Sequence, residues 1–160
     1  MTVEEFNALS AESAGRELLR CCGSREWVQA MAGARPFQSV AALCSEAEQI
    51  WWRLSPADWL EAFRAHPKIG GRTSDSQAAQ EQAAVGSATV PTVTGLAQGN
   101  DEYLSKFGYI FIVCATGKSA EEMLAILRSR LASDPEDELR LAAAEQSKIT
   151  RIRLEKLVSA

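Results

Sequence analysis

Three side chains in this chain have the types and settings that chemistry needs. His66 is the only histidine among 160 residues. It lies in Ala65-His66-Pro67-Lys68-Ile69-Gly70-Gly71, where a helix must stop and a glycine-rich loop begins. An imidazole there titrates near neutral pH and carries a proton in either direction. Glu81, in an alanine-rich stretch, offers a carboxylate that can hold an imidazole or a substrate N–H group. Arg153 offers a planar fork of donors that suits carboxylate and carbonyl oxygen.

The elements that must position these groups can be read from caps and periodicity. Ser55 is a helix N-cap, Pro56 suits the first helical position, and Asp58 puts negative charge into the first turn. Trp59, Leu60 and Phe63 form the buried face of that helix. Pro67 disfavours the α conformation at His66, which therefore sits at the break. Gly70 and Gly71 permit close approaches that a side chain would forbid. A second reading of His66 stays open: a helix-terminal histidine interacting with the last carbonyls.

Ser74 to Gly86 reads as a helix with a cap in front and glycine behind. Ala78, Glu81, Gln82 and Val85 share one of its faces, since residues three and four apart are neighbours. On an exposed face Glu81 and Gln82 are solvating groups, and in a cavity wall they are ligands. From Glu136 to the end, Leu139, Ala142, Ala143, Gln146, Ile149, Arg153 and Leu157 fall on one stripe at about 100° per residue. Arg140, Lys148 and Arg151 point the other way, towards solvent. An inward arginine needs an anion or several acceptors. Glu81 and a substrate carboxylate are the candidates, and a buried ion pair joining helices is the structural alternative.

The rest of the chain supplies further capped helices. Thr2 caps a helix through Leu9, Ser10 one through Cys21-Cys22 with Gly23 as its stop, and Ser24 a third that ends at Gly33 to Pro36. Ser39 opens a longer one through Trp52, with Val40, Leu43, Ala47, Ile50 and Trp51 inward. Val93 to Lys106 is helical around Leu96, Tyr103 and Leu104. Ser119-Ala-Glu-Glu122 is a capping box ahead of Met123, Leu124, Ile126, Leu127 and Leu131. The apolar run Phe107 to Ala115 favours strand by propensity. No strand partner exists for it, so it reads as an extended or irregular core segment. Its buried backbone groups then need partners, some of which a polar ligand can supply. The expected fold is all-α: a single-domain bundle over residues 1–160, of roughly seven to nine helices.

Composition narrows the function classes. Hydrophobic residues make up 46% and charged residues 24%, which suits a globular domain. A net charge of −4 without a basic run argues against nucleic acid or anionic membrane as partner and for a small molecule. Cys21, Cys22, Cys44 and Cys114 have no CxxC spacing, so reduced thiols and no metal site are expected. The acidic start Met-Thr-Val-Glu-Glu-Phe lacks secretory features, the C-terminal Val-Ser-Ala is not a peroxisomal ending, and no apolar run spans a membrane. A cytoplasmic protein is the expectation.

Five blocks carry a resemblance. These are Trp59-Leu60-x-Ala-Phe63, His66-Pro67-x-Ile69-Gly70, Glu81-Gln82, Tyr103-x-x-Lys106-Phe107-Gly108-x-x-Phe111-Ile112-Val113-Cys114-Ala115 and Glu145-x-x-Lys148-Ile149-x-x-x-Arg153-Leu154. In this order they resemble the 2-oxo-4-hydroxy-4-carboxy-5-ureidoimidazoline (OHCU) decarboxylase family, which makes (S)-allantoin at the last step of urate breakdown. The resemblance covers the chain from about Ser39 onward.

That resemblance implies a carboxy-lyase, a homodimer, no cofactor, and a ureidoimidazoline as substrate. It implies His66 as catalytic acid/base, Glu81 as its catalytic partner and Arg153 as anchor for anionic or carbonyl oxygen. Pro67, Gln82, Phe111, Ile112, Val113, Cys114 and Ala115 would line the substrate site. Members often have serine where this chain has Ala78, so that hydrogen bond is missing or comes from Ser76, Gln77 or Gln80. Two other readings remain: a helical binding module in which the three residues are structural, and a hydrolase acting on a related ureide.

Overall fold

Caps written in the sequence start most of the helices in the computed structural model, which describes residues 1–69, 81, 85–86 and 88–159. These residues contain eight helices and no strand: α1 Val3–Ala8, α2 Ala11–Cys21, α3 Arg25–Gly33, α4 Val40–Arg53, α5 Pro56–Arg64, α6 Val90–Phe107, α7 Ala120–Leu131 and α8 Pro135–Leu157. The fold is all-α. The side chains of Thr2, Ser10, Ser24, Ser39 and Ser119 each accept a backbone N–H of the first turn that follows. Each such cap is worth about 1 kcal/mol. The helix expected over Ser74 to Gly86 falls mostly outside the described residues.

The described residues fall into two units, Met1–Ala65 with Gln146–Ala160, and His66–Glu145. In the first, α3 packs on α2, α4 and α5. Trp27, Met31, Leu43, Trp51, Phe63 and Leu154 are among its buried side chains. Trp27 Nε1 donates to Ala47 O at 3.1 Å and Trp59 Nε1 to Trp51 O at 2.9 Å, so neither indole carries an unpaired N–H into the interior. Arg35 Nη1 donates to Leu9 O at 2.8 Å, serving a carbonyl that follows α1.

Gly23 has a different reason from the one the sequence offers. The C-cap of α2 is Cys22, in an extended conformation, and Gly23 is not left-handed. Its place is close-packed: a Cβ there would stand 2.6 Å from that of Ala65.

In the second unit, α6 packs on α7. Their core joins Leu96, Tyr103, Met123, Leu124 and Leu127 to Ile69, Phe111, Val113 and Ala115. Leu104 is exposed, because the inward turns of α6 are taken by Leu96, Gly99, Asn100 and Tyr103. The helix ends at Gly108, whose φ of 84° is a left-handed cap that a side chain would strain.

Candidate functional site

The caps of α5 set where the helix starts and where it stops, just before the imidazole in the chain. Asp58 accepts from the backbone N–H and hydroxyl of Ser55 at 3.3 and 2.9 Å, starting the helix, and Ala65 is its C-cap. His66 and Pro67 follow at once, both half-buried. The loop beyond is tied down by α6. The Asn100 amide donates to Ile69 O at 2.9 Å, and Lys68 Nζ lies 3.4 Å from Asp101 Oδ1. The first bond is buried and anchors the loop, whereas the exposed ion pair contributes at most about 1 kcal/mol. Glu81 is helical and half-buried. Gln82 lies outside the described residues.

Phe111, Ile112, Val113, Cys114 and Ala115 are all buried, in a segment with no regular secondary structure. Charged side chains take the place of a neighbouring strand. Arg130 Nη1 donates to Ile112 O, Cys114 N donates to Glu145 Oε1 at 3.2 Å, and Lys118 Nζ donates to Cys114 O at 2.8 Å. Arg130 is itself held by Glu138, with Nε 2.7 Å from Oε1, and its guanidinium carbon sits 4.6 Å from the centroid of the Phe111 ring. The Tyr103 hydroxyl donates to the same carboxylate oxygen. Burial first, and then this bond, push the Tyr103 hydroxyl upward, so it stays a neutral donor. The arginine and glutamate are both buried. Removing either alone would cost about 3–5 kcal/mol, because the other would be left uncompensated, while removing both costs far less.

Arg153 is inward, 7% exposed, as its place on the stripe of α8 requires. Its Nη1 donates to Arg20 O at 3.3 Å, a carbonyl of the last turn of α2. Such carbonyls lack helical partners and carry the negative end of the helix dipole, a favourable seat for a guanidinium. Arg140, Lys148 and Arg151 are exposed on the same helix, as expected. Beside Arg153, burial pushes the thiols of Cys21 and Cys22 up to about 12, which outweighs the downward pull of its charge. All four cysteines are free and buried. A cleft of about 190 Å³ lies in this unit, lined by Trp27, Ala47, Trp51, Lys148 and Arg151 among others, with Arg153 not part of its wall. Among the described residues no cluster of His, Cys, Asp or Glu is gathered to hold a metal, and no helix is long and apolar enough to cross a membrane.

Sequence reading missed Arg130 and Glu138, though the rule that found Arg153 applies to both. Arg130 falls three residues after Leu127 on the apolar face of α7. Glu138 precedes Ala142 by four on the stripe of α8. Neither had a sequence motif to draw attention to it.

Comparison with known proteins gives the family. A sequence model described as OHCU decarboxylase matches residues 7–155. The "Uric acid degradation bifunctional protein TTL" of Arabidopsis thaliana is 39% identical over 87% of this chain and 45% of its own. The chain thus spans less than half of that relative. The "2-oxo-4-hydroxy-4-carboxy-5-ureidoimidazoline decarboxylase" of Amia calva is 27% identical over 99% of this chain and 95% of its own. A crystal structure of OHCU decarboxylase in the presence of (S)-allantoin superimposes with a TM-score of 0.82 at 39% identity, covering 90% of this chain and 98% of that one. Fold and sequence define one class, an all-α chain built like the decarboxylases it matches. The chain belongs to the OHCU decarboxylase family.

Proposed function

We propose that this protein decarboxylates 2-oxo-4-hydroxy-4-carboxy-5-ureidoimidazoline to (S)-allantoin in urate breakdown, with the whole chain acting as one domain in the cytoplasm. The observation that supports it is the family match over residues 7–155, which takes in His66, Glu81 and Arg153 together. The chemistry is within reach of such side chains. The carboxylate leaves from a carbon next to a ring C=N group, so the pair of the breaking C–C bond forms a C=C bond, the C=N pair moves onto the ring nitrogen, which takes a proton from solvent, and carbon dioxide departs. A proton is then delivered to one face of the carbon bearing the ureido group, which sets the single enantiomer.

In this reading His66 moves the proton between the substrate hydroxyl and that carbon. Glu81 holds the imidazole and the ureido N–H groups. Arg153 draws negative charge onto the oxygen atoms it binds. Pro67, Gln82 and the Phe111 to Ala115 segment form the surrounding wall, which orients the molecule.

The test generates the unstable substrate in place from urate with urate oxidase and hydroxyisourate hydrolase and follows circular dichroism. Rapid growth of the (S)-allantoin signal is expected, and His66→Asn should slow it by on the order of 10²–10⁴ while the helical spectrum is kept. Racemic allantoin at the spontaneous rate, from folded protein, would sink the proposal.

A further inference from the structure

Resting on the proposed reaction, we infer that Arg130 is a positioning residue for it, setting the conformation of the wall segment Phe111 to Ala115 through its hold on both Phe111 and Ile112. Among the described residues no strand lies beside the segment and no helix includes it, so no ladder of regular secondary structure there fixes its peptide planes. Arg130 supplies what a strand would. One arm of its fork donates to Ile112 O, and the guanidinium carbon lies 4.6 Å from the Phe111 ring centroid. The rest of the fork faces Glu138 Oε1, to which the Tyr103 hydroxyl of α6 also donates, while Glu138 Oε2 is buried without a hydrogen-bond partner among the described residues. Three helices therefore converge on one guanidinium whose free arm reaches main chain. A hydrophobic residue would fill the same space, but would leave the Ile112 carbonyl without its donor and free to turn.

Glu145 and Lys118 act on the same segment two residues on, at the N–H and C=O of Cys114. These bonds hold the far end of the wall whatever occupies position 130. Loss of Arg130 together with Glu138, which leaves no charge buried alone, is thus expected to shift the near end, Phe111 and Ile112, and to spare the chain's fold.

The experiment removes the buried pair as a unit, Arg130→Met with Glu138→Gln, so that no charge is left buried alone. The wild type is assayed first. If it makes no (S)-allantoin, the reading of the reaction fails, and the inference with it. With active wild type, the double variant is expected to keep its helical spectrum, raise KM, and lose roughly ten- to a hundredfold in kcat/KM. The enantiomeric excess of the product should fall, because a displaced wall no longer presents one face. Unchanged KM and enantiomeric excess in the folded variant would overturn the inference and leave the pair with a purely structural part. Should the double variant not fold, Arg130→Lys serves, since it keeps a charge for Glu138 and loses the second arm. The same fall in enantiomeric excess is then expected, and wild-type values would overturn the inference.

Discussion

A guanidinium in a protein interior has to be surrounded by acceptors, and position 153 meets that need partly with the end of a helix. The Arg20 carbonyl is one of the orphans of the last turn of α2, so a single bond serves both groups. The same neighbourhood buries Cys21 and Cys22, and burial holds their protons to about pH 12. An unfolded chain releases thiol protons from about pH 8.5. Between these limits the unfolded state binds fewer protons than the folded one, so stability falls as pH rises, by up to about 1.4 kcal/mol per pH unit for each thiol. Below about pH 8.5 both states are protonated and the contribution is flat. Urea midpoints measured at pH 7, 9 and 10.5 should therefore drop more steeply for the wild type than for a Cys21→Ala, Cys22→Ala variant. Parallel slopes would mean that the thiols ionise in the folded protein.

At the scale of elements, α5 is seated by bonds to its neighbours in the first unit. Asp58 starts the helix, and the Trp59 indole bonds the carbonyl of Trp51 in α4. Arg25 at the start of α3 donates to Glu61 from its backbone at 2.8 Å and its side chain at 3.0 Å. Ala65, the residue before the imidazole, packs where Gly23 leaves room, and an added Cβ would meet the Ala65 methyl at 2.6 Å. Neither atom is the end of a flexible side chain, so backbone has to move. Gly23→Ala is expected to destabilise by about 1–3 kcal/mol, as overpacking does. Thermal melts read the effect. A wild-type melting temperature would show that the contact relaxes without cost.

At the scale of the whole molecule, the resemblance implies two copies, and we propose a homodimer. Trp52 is exposed on α4, an apolar surface such an assembly could use. Sedimentation equilibrium should give twice the mass of one chain, and a monomer mass across micromolar concentrations would remove the proposal. Most of the helical order of this chain was legible in advance, because Ser10, Ser24, Ser39 and the Ser119 capping box act through bonds three residues away. Arg153 was legible too, since helical periodicity alone turns it inward. The sequence by itself determined the caps that start most of the helices, most of their apolar faces, and the family motifs around His66, Glu81 and Arg153. Tertiary structure alone decided that Gly23 makes room for Ala65, that the Arg20 carbonyl meets Arg153, and that Arg130, Glu145 and Lys118 stand in for a strand beside Phe111 to Ala115. Those pairings join groups from 18 to 133 positions apart in all but the Lys118 bond, and no local rule of spacing reaches that far.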